Sequence, residues 1–307
     1  MRGAVLDENL PVDRRKAMLR VLAGAAVISF APVFVRLVDV PPTTSAFYRT
    51  LFGGVMLVFY VRLRRGRLWS GRGGAIALTM AGFFFAVDLW VWHRSIWYVG
   101  PGLATLLASF QVFFVALAGI LFLGEQFRRV LWIAIPMALF GLALIVGFEW
   151  SSLQRDYRVG LIFGLLTAIA YAAYLLSLRS ARLHGRNATP QGDLAVASMV
   201  SAAMLFIVVV IEDVPMAIPT VTDGALLVGY ALVAQVIGWV LITGALGSVP
   251  ASIVALLLLL QPTLAFLWDV LFFSRPFGVQ EAIGAGLALT AIYLGSQSGG
   301  KKSGENT

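Results

Sequence analysis

The sequence predicts an all-α integral membrane protein, with ten transmembrane helices arranged as two inverted five-helix repeats around a central cavity. Three observations predict it. The 307 residues are 60% hydrophobic and 12% charged, with a mean hydropathy of +0.89, more apolar surface than a soluble core can hide. The apolar residues fall into ten runs near the ~20 residues that cross hydrocarbon. A shift of 150 residues lays the second half on the first.

The runs are 17–38, 44–62, 74–98, 101–124, 128–148, 157–179, 191–212, 222–246, 250–274 and 277–296. Proline, glycine or charge clusters separate them, among them "DVPPTT", "VGPG", "RLHGRNATPQG" and "GSVP". Such short connections make neighbouring helices antiparallel. The net charge of +8 sits in small clusters between apolar runs rather than on one face, which argues against nucleic acid. Those clusters orient the chain. With a cytoplasmic N-terminus, 17 of the 23 Lys and Arg lie on the inner side and 6 on the outer, so both termini are expected inside. The first run lacks a small-x-small cleavage site and reads as an uncleaved helix. Cysteine is absent, so disulfide and thiolate chemistry are excluded.

The repeat aligns "GLATLLASFQVFFVALAGILFLGEQF" with "SIVALLLLLQPTLAFLWDVLFFSRPF" without a gap and pairs Gln111 with Gln261. Five spans per copy is an odd number, so the second copy must be upside down. The expected domains are a tail (1–16), the first repeat (17–148), the second repeat (157–296) and a second tail (297–307). Inverted repeats with sites near the midplane are the architecture of many secondary transporters.

"FYRT", "DLWVWHRSI" and "ATLLASFQVFFVALAGILFLGE", answered by "QVIGWVLITGAL" and "LLLLLQPTLAFLWDVLFF", resemble the drug/metabolite transporter superfamily, ten-helix EamA type, over residues 17–296. The family's helix-end Glu is present as Glu125; Ser274, Arg275 and Pro276 replace its second-half counterpart. The resemblance implies a secondary exporter of small metabolites, most often amino acids, across a bacterial inner membrane by alternating access. Within the family the aromatic amino-acid exporters are the nearest guess. The implied partners are a small-molecule substrate and the lipid bilayer, with no cofactor or metal.

The site candidates begin in the third span, where Asp88, His93 and Arg94 stand among aromatics. A charge in hydrocarbon costs roughly 2.5 to 17 kcal/mol, so a mid-span ionisable group defaults to function. Asp88, Trp92 and Ser95, at i, i+4 and i+7, share one helical face suited to an ammonium-bearing amphipathic solute. The bland reading makes Asp88 a helix-to-helix hydrogen bond and Trp92 packing. Arg94 lies nearer the outer end and can snorkel to the rim. Arg49 and Asp269 lie at a similar depth to His93 and Arg94, where a structural ion pair competes with capture of a substrate carboxylate. The resemblance favours Arg49 for that capture. His93 reads as a quiet hydrogen-bonder or a titrating relay. Tyr171, Tyr174, Gln235 and Trp239 lie mid-span in the sixth and eighth runs, as cavity walls or as packing. Gln261-Pro262 loosens its helix and suits a gate, because proline removes a backbone bond. Trp97 and Tyr98 fit an interfacial belt.

Gly160 and Gly164 form a GxxxG, read as packing within the chain rather than dimerisation, which leaves a monomer as the expected unit. No H-E-x-x-H, G-x-S-x-G or Walker sequence occurs, and His93 and His184 are the only histidines. An ATP-driven pump is thereby excluded for this chain alone. A membrane enzyme or scaffold acting on lipid-like molecules is the alternative to a transporter.

Overall fold

The computed structural model describes residues 14–68, 71–124, 129–146, 155–185, 189–274 and 278–297, and every regular element among them is helical. In chain order these are α1 (Arg14–Ile28), α2 (Ala31–Leu37), α3 (Pro42–Leu63), α4 (Gly71–Ser109), α5 (Gln111–Leu123), α6 (Arg129–Val146), α7 (Arg155–His184) and α8 (Pro190–Ile211). Then follow α9 (Val221–Tyr230), a π-helix (Ala231–Gly238), α10 (Trp239–Thr243), α11 (Ala251–Leu257), α12 (Leu260–Phe273) and α13 (Val279–Gln297). Glu125, Arg275, Pro276 and most of both tails lie outside the described residues.

Among the described residues seven helices are long and apolar enough to cross a membrane: Arg14–Leu37, Pro42–Leu63, Gly71–Val99, Asp156–His184, Pro190–Ile211, Val221–Thr243 and Ala251–Phe273. Three shorter apolar helices, Leu107–Leu123, Arg129–Leu144 and Val279–Leu294, accompany them. The chain is a multi-span membrane protein. Trp97 is 78% exposed, and Phe122 and Ile211 are exposed too, an apolar exterior suited to lipid.

One expected gap in helix is absent. The helical backbone continues through Gly100–Gly102 into residue 109, yet the chain reverses there. A Cβ built on Gly164 would meet Leu107 Cδ1 at 2.5 Å and Ser95 Oγ at 3.0 Å. Twelve residues of straight helix span about 18 Å, so residues 95 and 107 can adjoin one point only if α4 folds back on itself. Gly160 fits against Tyr98 and Val99 in the same way. The two glycines therefore serve helix contact within the chain.

Three spans are interrupted at mid-depth. Pro32 and Pro262 have no N–H for the carbonyls of Ile28 and Leu258, four residues earlier, and the ladder breaks at Ser29–Phe30 and at Leu258–Leu259. The third break, at Phe110, has no proline; Phe110 N bonds Leu107 O at 3.1 Å, a tighter turn. The breaks at 110 and 258–259 fall beside the two glutamines that the 150-residue register pairs. Along α11 and the turn after it, Ala251 to Leu259, every residue is buried.

The helix ends around Arg179 are tied by polar contacts. Arg182 pairs with Asp193 at 3.0 Å, and Arg179 Nη1 donates to Leu246 O at 2.9 Å and to Val249 O. Thr189 accepts from Gly192 N and caps α8, with Pro190 at its first position.

Candidate functional site

A cavity of about 100 Å³ lies among the three interruptions. It forms there because a broken helix frees backbone and side chains from the packed ladder, as in transporters built on discontinuous helices. Arg49 enters from α3, Phe85, Asp88 and Trp92 from α4, and Gln111 from α5. Tyr171 comes from α7, Trp239 from α10, and Gln261 and Pro262 from α12.

Asp88 is 7% exposed, and among the described residues no hydrogen bond or ion pair reaches its carboxylate. Arg49 is 4% exposed and held from behind. Its Nε donates to Gln235 Oε1 at 3.1 Å and its Nη1 to the Tyr230 hydroxyl at 2.9 Å. Its guanidinium carbon lies 5.3 Å from the Phe85 ring and 4.9 Å from the Tyr230 ring, within cation–π range. The cavity therefore holds one acid and one base that do not neutralise each other. Gln261 Nε2 donates to the Tyr171 hydroxyl at 3.2 Å, and Gln111 Nε2 to Ala255 O at 3.2 Å.

Seven of the eleven residues expected from sequence line this cavity: Arg49, Asp88, Trp92, Tyr171, Trp239, Gln261 and Pro262. Four do not. Ser95 donates to Gly160 O at 2.9 Å, because α7 closes on α4 at that level and the cavity ends below it. His93 is buried with Nδ1 2.6 Å from Leu89 O. A carbonyl only accepts, so Nδ1 carries the proton, and the ring lies toward a separate groove. Tyr174 is fully buried beneath the cavity, stacked on Phe85 at 4.3 Å and edge-on to Trp239 at 4.7 Å. Its hydroxyl has no partner among the described residues. Gln235 stands behind Arg49 and donates to Ser198 Oγ at 2.8 Å. Phe85 forms the cavity floor with Trp239.

The second groove, of about 200 Å³, lies at the opposite end from Arg179 and is bordered by His93, Arg94, Trp97, Tyr98 and Glu212. Arg94 forms an ion pair with Glu212 there and covers the Trp90 ring at 4.0 Å. Glu212 also accepts from Trp90 Nε1 at 2.8 Å and Thr43 Oγ1 at 3.1 Å. Arg94 thus belongs to a rim clasp, and its partner is Glu212; the side chain of Asp269 lies outside the description.

Sequence reasoning missed Glu212, Tyr230 and Ser198. Nothing local marks them, since each matters only through a partner more than 100 residues away or on another span. Gln111 was legible as the repeat mate of Gln261.

Comparison with known proteins adds the following. The EamA-like transporter family matches residues 15–147 and again 158–296. The chain is similar to the pseudopaline exporter CntI of Pseudomonas aeruginosa, in strains UCBPP-PA14 and PAO1. Each is 28% identical over 258 residues, covering 83% of this chain and 86% of the exporter. One crystal structure superposes with a TM-score of 0.78, covering 91% of this chain and 98% of its own, at 16% identity, a likeness of fold alone.

Proposed function

The chain belongs to the EamA-like transporter family, and on that premise we propose that it exports zwitterionic, amphipathic metabolites, amino acids with aromatic side chains foremost. It is a transporter and not an enzyme. The carrying observation is the cavity that holds Asp88 and Arg49 unpaired with each other between aromatic walls. An ammonium group suits the carboxylate, a carboxylate suits the guanidinium, and Trp92, Tyr171 and Trp239 offer stacking faces to a side chain between them. The curated relatives, which export pseudopaline, support export as the direction.

The proposed setting is a bacterial inner membrane. There the chain forms ten spans in two inverted five-helix repeats, 17–148 and 157–296, with both termini cytoplasmic and a monomer as the working unit. Alternating access rocks the halves about the cavity, with Gln261 and Pro262 in the moving wall. The lack of cysteine makes single-cysteine labelling clean. Labelling from outside at Ser70 or Asn187 would overturn the orientation.

Substrate is tested in proteoliposomes with radiolabelled phenylalanine, tryptophan, threonine and alanine. Aromatic amino acids are expected to be taken up and to exchange in counterflow. Movement of threonine and alanine without the aromatics would overturn the aromatic preference, and movement of none would overturn amino acids as the class.

A further inference from the structure

We propose that Tyr230 and Gln235, presented together by the π-helix, are positioning residues that aim Arg49 at an anionic group of the transported molecule. The proposal rests on the reading of the cavity as a zwitterion site.

The π-helix is the unusual element. In an α-helix residues five apart are rotated by about 500°, which leaves them about 140° apart on different faces. A register in which each carbonyl bonds the fifth residue on stacks such a pair instead. Tyr230 caps the π-helix and Gln235 lies within it, and both contact Arg49: the hydroxyl at Nη1, 2.9 Å, and the amide oxygen at Nε, 3.1 Å. The widened turn therefore puts two acceptors on one side of the guanidinium.

Each acceptor is itself fixed. Gln235 Nε2 donates to Ser198 Oγ at 2.8 Å, which settles which end of the amide faces Arg49. The Tyr230 ring is fully buried and stacks on Phe34 at 5.9 Å and 18°. Gly53 adjoins the Gln235 side chain so tightly that a Cβ there would lie 2.5 Å from Gln235 Cγ, so α3 and the π-helix are in direct contact beside Arg49. Neither acceptor carries a charge. Both hold the guanidinium in place without cancelling its positive charge, which a carboxylate in their place would do. Nη2 makes no contact with a protein acceptor among the described residues and is left for a ligand. Interactions that fix a binding group before the ligand arrives lower the entropic cost of binding.

The test uses Tyr230→Phe and Gln235→Met, which keep volume and remove one acceptor each. In proteoliposomes the KM for phenylalanine is expected to rise about tenfold in either variant, equivalent to about 1.4 kcal/mol. The inhibition constant of phenylalaninamide, which has the ammonium but no carboxylate, is expected to stay within about twofold of wild type, well under 1.4 kcal/mol. A second readout needs no substrate: peptide mass spectrometry of Arg49 after phenylglyoxal treatment, with faster modification expected once the guanidinium is released. Equal weakening of both probes, or unchanged Arg49 modification in a variant with normal melting, overturns the proposal. If wild type does not carry phenylalanine, the substrate reading fails and the Arg49 modification rate alone decides this one. Two variants are used so that misfolding of one leaves the other to decide.

Discussion

Asp88 and Arg49 face the same cavity, and no ion pair joins them. Buried opposite charges attract strongly, so holding them apart requires structure. Arg49 is drawn back by the π-helix, while Asp88 stays one helical turn from Trp92 with its oxygens free.

Asp88→Asn is expected to lower transport by at least tenfold. An ammonium–carboxylate contact near 4 Å is worth about 4 kcal/mol at an effective dielectric of 20, and each 1.4 kcal/mol is tenfold. Its melting temperature should equal or exceed that of wild type, because an unpartnered buried charge destabilises the fold. Transport and melting of the purified variant check this; aggregation, or normal transport, would place Asp88 in the packing.

Tyr171 and Tyr174 should respond differently to loss of the hydroxyl. Tyr171→Phe leaves the Gln261 amide without its partner and is expected to cost about 1–2 kcal/mol and to slow transport. Tyr174→Phe removes a buried hydroxyl that bonds nothing among the described residues, so stability should hold or rise and transport should not change. Paired unfolding and uptake measurements separate the two.

Gly164→Val should destabilise by about 1–3 kcal/mol through overpacking against Leu107 and Ser95. Gly286→Ala is the control. A Cβ at Gly286 meets nothing within 4 Å, and alanine in a helix is favoured by about 0.5–1 kcal/mol. Melting temperatures should therefore move in opposite directions.

Pro262→Ala restores an N–H four residues after Leu258, whose carbonyl now accepts only the tighter-turn bond from Gln261 N at 3.0 Å, and should let α11 and α12 join. The expected result is a higher melting temperature with slower turnover, read as a fall in kcat at little change in KM. Unchanged turnover would remove the break from the transport cycle.

Much of the fold was legible because bilayer thickness demands apolar runs of a fixed length, and those runs end at proline, glycine and charge. The site was legible where helical periodicity suffices, as for Asp88 and Trp92. Ser95 shares their face by spacing, but spacing says nothing about where α7 closes on α4. Tyr174 lies one turn along from Tyr171 on the same helix, and one turn is the difference between lining the cavity and packing beneath it. Glu212 and Tyr230 were invisible because their roles come from spans that only tertiary packing brings near. The π-turn could not be read at all: α and π registers differ by one residue per turn, and no residue type demands the wider one.

The folded-back α4 carries a mechanical consequence. With no Cβ on Gly160 or Gly164, both arms of the hairpin bed directly on the α7 backbone, and Tyr98, Val99 and Leu107 block any slide along it. That side of the cavity is a fixed jaw. The opposite side is less regular, for the α-helical register gives way to tighter turns at Ser29–Phe30 and at Leu258–Leu259. Trp268 ties α12 to the first of these turns: its Nε1 donates to Ser29 Oγ at 2.7 Å and its ring stacks on Phe30 at 4.3 Å. α12 is thereby bound to the chain where α2 begins, so the two elements are linked across the yielding side of the cavity.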